Sequence, residues 1–124
     1  MRSKQINITV SYSLKVFNYK AVAPETAEGC AAETEARWLV TNEMGAENLA
    51  MRLFEMKSGG YNPLHEHPWE HEVFVIEGQG SVFDGEKAIQ AGDVVFARAD
   101  ELHQFKNDSV KLLKFLCLVP YVKE

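Results

Sequence analysis

From Arg37 onward the chain is punctuated so often that no long helix fits between the marks. Ser58-Gly59-Gly60, Gly78-Gln79-Gly80, Asp84-Gly85 and Gly92-Asp93 divide it into pieces of a few residues each. Between them lie apolar or alternating runs of strand length. Trp38 to Thr41, Leu49 to Met56, Glu72 to Glu77, Ser81 to Phe83, Val94 to Phe96 and Leu112 to Val119 are the predicted strands, the last stopping at Pro120. Asp84-Gly85 suits a two-residue hairpin turn. Short strands at close spacing with glycine-rich turns predict an all-β sandwich or barrel.

The N-terminal part reads differently. Ile6, Ile8, Val10, Tyr12, Leu14 and Val16 alternate with Asn7, Thr9, Ser11, Ser13 and Lys15, which predicts a half-buried strand over 6–16. Residues 23–35 carry Ala, Glu and Thr with a Pro and a Gly, and are read as a loop. At 124 residues the chain is expected to be a single domain (1–124), with an N-terminal strand and loop over 1–36 and a barrel over 37–120.

Net charge and cysteine usage narrow the function classes. A net charge of −5 with scattered lysines and arginines argues against a nucleic-acid surface. No apolar stretch is long enough to span a bilayer, and no signal-peptide core follows the charged N-terminus. Cys30 and Cys117 lie far apart and make no disulfide framework. These features lead to the expectation of a cytoplasmic protein with no nucleic-acid or membrane partner.

All 4 histidines fall where a metal ion could gather them. His65, His67 and His71 lie within His65-Glu66-His67-Pro68-Trp69-Glu70-His71, and His103 follows later. On an uninterrupted strand the first three would share a face, although Pro68 favours a kink before His71. Neutral imidazole is a common ligand for first-row transition metals. A lone histidine is more often a core or surface residue, but a cluster that uses the chain's whole supply reads as a metal site. Glu70 and Glu72 flank His71 and are expected on a solvated face. Cys117 shares its parity with Leu113, Phe115 and Val119, so burial is expected, with cavity lining as the alternative. Phe74, Phe96, Phe105 and Trp69 are read as core.

Glycines and histidines together resemble the cupin superfamily. Its first motif is Gly, five residues, His-x-His, three or four residues, Glu, six residues, Gly. Here Gly59, His65, His67 and Gly78 fit, with His71 where Glu usually stands; at the longer spacing Glu72 takes that place and Gly78 falls off register by a residue. In the second motif Gly92, His103 and Asn107 fit, while Arg98 and Asp100 replace its Pro and Gly. Met51-Arg52-Leu53-Phe54, Pro68-Trp69-Glu70-His71-Glu72 and Phe115-Leu116-Cys117-Leu118-Val119-Pro120 further resemble small single-domain manganese cupins with four histidine ligands.

That resemblance implies a double-stranded β-helix, a small jelly-roll barrel, with the metal inside it. It also implies His65, His67, His71 and His103 as ligands, and a homodimer. An apolar face on 6–16 would let that segment cover a partner's sheet edge. Four imidazoles alone favour Fe, Cu, Ni or Zn; the resemblance implies Mn, so Mn ranks first and Fe second. In an octahedral sphere two positions would stay open for a small-molecule substrate or oxygen. The leading expectation is a metal-dependent oxidoreductase of dioxygenase type. The alternatives are an isomerase or lyase for a sugar-derived acid, and a non-catalytic binder of a small ligand. Apolar strands without an evident carboxylate base favour the first. No catalytic residue is assigned.

Overall fold

The computed structural model describes residues 14–27, 32–82 and 86–121. Its strands are β1 (Glu25–Thr26), β2 (Ala32–Val40), β3 (Leu49–Tyr61), β4 (His71–Glu77), β5 (Gln79–Val82), β6 (Lys87–Gln90), β7 (Val94–Ala97), β8 (Phe105–Lys106) and β9 (Leu113–Pro120). Among the described residues the helical elements are two single 3₁₀ turns, Tyr19–Ala21 and Asn42–Met44. The fold is all-β, a curled jelly-roll sheet as the punctuation predicts.

Every strand pairing is antiparallel, in the order β6-β5-β8-β3-β9-β4-β7, with β2 on β3 and β1 on β2. Non-sequential neighbours such as β3-β9 and β9-β4 bring the middle of the chain and its end into one sheet. Strand β9 is central to this. Its Cys117 lies opposite Arg52 of β3 on one side and Val73 of β4 on the other.

Alternation sets which side chains enter the barrel. On β4 the inward row is His71, Val73 and Val75; on β9 it is Leu113, Phe115 and Cys117. Together with Met56, Val82, Ile89 and Phe105 these apolar residues form one core cluster. Completely burying a side chain of Leu, Val, Phe or Met size contributes about 1.5–3 kcal/mol. A histidine in the inward row is therefore placed in apolar surroundings by the same pattern that builds the core.

Three loop and core assignments are corrected. Residues 23–35 are not all loop, because β1 lies within them and β2 begins at Ala32 and pairs along β3. Thr34 and Ala36 alternate inward, but their small size hides the pattern among glutamates. Ser58-Gly59-Gly60 does not end its strand, since β3 runs through to Tyr61 and pairs there with β8. Phe74 and Phe96 are not core: they are 46% and 52% exposed, on the outer face of β4 and β7.

Most of the predicted N-terminal strand, residues 6–13, lies outside the described residues, as do Cys30 and the Asp84-Gly85 turn. Its described end, residues 14–16, is not in a strand, and Leu14 and Val16 are exposed. Strands β5 and β6, which flank Asp84-Gly85 in sequence, pair antiparallel with Val82 opposite Lys87. No helix among the described residues is long and apolar enough to cross a membrane.

Candidate metal centre

The histidine segment is not a continuous strand. Residues 66–70 lie outside any ladder, and His65 makes an isolated antiparallel bridge with His103. Two backbone bonds close that bridge, His65 N donating to His103 O at 3.0 Å and His103 N to His65 O at 2.8 Å. The bridge, rather than strand alternation along 65–71, brings the two motifs together. The His67 carbonyl accepts from Asp100 N, fixing the next turn of the loop. The chain then bends at Pro68-Trp69, and His71 opens β4 opposite Ala97.

The four rings cluster closely. His65 and His103 centroids are 4.4 Å apart, His65 and His67 4.6 Å, His67 and His71 4.8 Å, and His71 and His103 4.9 Å. Nitrogens of His65, His67 and His103 all lie within 4.8 Å of one another. His71 is not in that tighter set, although its ring lies against those of His67 and His103. Trp69 is not a core residue but a partly buried one, and its ring stacks on His67 at 4.8 Å.

Backbone contacts decide which nitrogen each ring offers. His65 Nδ1 lies 2.6 Å from Pro63 O, and His103 Nδ1 lies 2.9 Å from Glu101 O. A carbonyl only accepts, so both Nδ1 atoms carry the proton and both Nε2 atoms keep a lone pair. This is the arrangement of a metal-ligating histidine oriented through its other nitrogen. His71 Nδ1 lies 3.5 Å from Cys117 Sγ. The Nε2 atoms of His71 and His103 are buried with no hydrogen-bond partner. A buried polar atom left unpaired costs about 1–3 kcal/mol. Two in one cavity fit a ligand set for a metal ion, which would satisfy both.

Electrostatics keep the rings ready to coordinate. Burial, followed by the neighbouring His103 and His67 imidazoles, lowers His71 to about 3. His67 is lowered by burial and then by His65 and His103, and His103 by burial against an opposing bond to Glu101 O. A proton on His67, His71 or His103 is disfavoured chiefly by apolar surroundings and further by protonation of its neighbours. A divalent ion needs the same neutral rings.

The cluster opens into a cavity of about 370 Å³, walled by Phe54, Met56, Phe105 and Phe115 and shared by all four histidines. Cys117 is both buried and cavity-lining, and burial raises its thiol above its ordinary value. Glu70 and Glu72 are exposed, as expected, and lie outside the cavity lining. Sequence reasoning gave no site role to Arg52, which lines the same cavity. Its signal was parity: Arg52 is a cation on the β3 face that also carries Phe54 and Met56.

Comparison with known proteins agrees with this geometry. Over 71 residues the chain is 32% identical to 1-methylthio-D-xylulose 5-phosphate methylsulfurylase of Rhodospirillum rubrum, a match over 56% of this chain and 46% of that protein. The chain thus spans about half the length of that curated relative. The polyketide cyclase RemF of Streptomyces resistomycificus superposes with a TM-score of 0.81 at 26% identity, over 90% of this chain and 89% of the other. A predicted oxalate decarboxylase of Thermotoga maritima gives a TM-score of 0.75 at 26% identity, over 87% and 100%. Residues 52–119, from the strand carrying Arg52 to the end of β9, match the Cupin domain model, and the chain belongs to that family.

Proposed function

We propose that this cupin is a metal-dependent enzyme acting on a small, carbonyl-bearing organic substrate bound above the histidine cluster. The observation that carries the reading is the pair of buried, unpartnered Nε2 atoms of His71 and His103 at the floor of an apolar cavity. His65, His67, His71 and His103 are the proposed ligands, with Mn ranked first and Fe second. A divalent ion held there would supply positive charge to polarise a carbonyl oxygen and, where redox-active, a means of activating oxygen.

The chain's own residues supply the rest. Phe54, Met56, Phe105 and Phe115 exclude water and give the substrate an apolar wall. Pro63 O and Glu101 O hold two rings in the ligating tautomer. Among the described residues no carboxylate lines the cavity, which argues against an acid–base pair for rearranging a sugar. Non-oxidative bond making or breaking, of cyclase or lyase type, is the leading chemistry. It is supported by the likeness to a polyketide cyclase and to a predicted oxalate decarboxylase at 26% identity each.

Oxidation of dioxygenase type is the second reading. Its support is the all-imidazole set without a carboxylate. Metal exchange separates the two, because zinc has no accessible redox chemistry. Turnover and oxygen uptake are measured for Zn-, Mn- and Fe-loaded protein with a panel of small carbonyl compounds. Comparable turnover of the Zn form without oxygen uptake supports the leading reading. Turnover restricted to Mn or Fe, with oxygen consumed, replaces it with the dioxygenase. No turnover in any form leaves a small-ligand binder.

We also propose a homodimer. Phe74, Ile76, Val94 and Phe96 form an exposed apolar strip on the outer face of β4 and β7, of the kind that marks an association surface. Light scattering of wild type and a Phe74→Glu/Phe96→Glu variant tests it; a monomeric wild type rejects it.

A further inference from the structure

The geometry points to a carboxylate on the substrate, received by Arg52. This rests on the cavity being the substrate site. It adds a ligand class that neither the histidines nor the apolar walls specify.

Arg52 sits on β3 between Trp38 of β2 and Cys117 of β9. Its guanidinium carbon lies 5.3 Å from the Trp38 ring and 4.9 Å from the Phe54 ring. Its Nη2 lies 3.4 Å from Cys117 Sγ, and its Nε is buried with no partner. Two other partly buried cations of the sheet have carboxylates: Arg37 Nε is 2.9 Å from Glu55, and Lys114 Nζ is 3.9 Å from Glu55 and 3.6 Å from Glu77. Among the described residues Arg52 has none.

A guanidinium stays ionised at any physiological pH. Rings and a weakly accepting sulfur compensate a partly buried charge poorly, and the Arg52 Nε is covered without a partner, so the arrangement is costly as it stands. An anion in the cavity would remove that cost. The planar fork of Arg matches the two oxygens of a carboxylate. With one guanidinium, no lysine in the lining and aromatic walls, the cavity suits a singly charged head on an apolar body. It does not suit a sugar phosphate, which would need polar groups around its hydroxyls.

Arg52 is then a specificity residue, and the stability of the unliganded protein should show its cost. Removing a partly buried charge that lacks a carboxylate partner, in favour of an apolar side chain of similar reach, is expected to be neutral or stabilising. Truncating a structural ion pair would do the opposite.

Calorimetric titration with benzoate and with its uncharged isostere benzamide tests the assignment, on metal-loaded and metal-depleted protein. Wild type is expected to bind benzoate at least tenfold more tightly than benzamide. Arg52→Met should lose that preference while keeping benzamide affinity and metal content, and should melt at the same or a higher temperature. Arg52→Lys should keep part of the preference and guards against a folding defect in the first variant. Equal binding of the two probes to wild type, no binding of either, or a preference that survives Arg52→Met overturns the proposal. Metal content is read separately in each preparation. Wild type that retains no metal after reloading, yet prefers benzoate through Arg52, would refute the metal-centred function and leave the carboxylate site standing.

Discussion

Replacing Asn107 by alanine should cost the metal-free protein about 2–4 kcal/mol, although the residue touches none of the histidines and does not itself line their cavity. Asn107 is 1% exposed and uses all of its side-chain polar capacity. Its Nδ2 donates to Met56 O and to Lys111 O, both at 2.7 Å, tying the inner part of β3 to the start of β9. Its Oδ1 accepts from Ser109 N at 3.0 Å and Ser109 Oγ at 2.7 Å. After truncation the partly exposed Ser109 groups can turn to water, and Lys111 O keeps Ser109 Oγ at 3.1 Å. Met56 O loses the asparagine amide beside a side chain that is 1% exposed. One stranded carbonyl costs about 1–3 kcal/mol and the lost bonds and small cavity about 1 kcal/mol more, which gives the range. Urea unfolding of metal-free protein at neutral pH measures it, with Ser109→Ala as a control expected below about 1 kcal/mol. A loss under 1 kcal/mol for Asn107→Ala would show that the network is not what holds β8 and β9 to β3.

Gly78→Ala should be far worse than Gly45→Ala. Both glycines have positive φ, at 90° and 102°, but an added Cβ overlaps the Leu112 carbonyl at Gly78 and meets nothing at Gly45. About 1–2 kcal/mol is expected for Gly45→Ala and about 2–5 for Gly78→Ala, and equal melting temperatures would refute the packing argument. The metal-free protein should lose stability on mild acidification. His67, His71 and His103 are held below the ordinary value of 6.5, so below that pH the unfolded chain takes up protons that the fold resists, down to about 3 for His71. The slope between pH 6.5 and 5 is at most about 1.4 kcal/mol per pH unit for each such histidine. His71→Gln should make it shallower, and an unchanged slope would contradict the burial argument.

What could be read from the sequence followed from pattern, and what could not followed from pairing. Strands β4 and β9 are legible as short apolar runs and glycines mark the turns, but Phe74, Ile76, Leu116 and Leu118 make the outward rows apolar too, so the inward rows are not marked by residue type alone. The ladder between β2 and β3 is harder to read, because Ala and Glu are weak strand formers and partner strands override propensity. Gly59 and Gly60 look like an end, yet β8 arrives to pair with Tyr61. Phe74 and Phe96 were read by residue type when parity with Glu72 placed them outside. The four histidine rings do come together, by a route that strand spacing did not indicate: a bridge between two distant segments gathers His65 and His103, and alternation within β4 aims His71 inward. Arg52 was missed because its partners come from β2 and β9, far along the chain.

Metal content is the most direct test of the central claim. Protein purified without added metal, and protein reloaded after chelation, are compared by elemental analysis with a His65→Ala/His103→Ala double variant, which removes both halves of the bridge-held pair. The account predicts about one equivalent of divalent transition metal per wild-type chain and a small fraction of that in the folded double variant. Equal metal in the two proteins, or none retained by reloaded wild type at neutral pH, would contradict it.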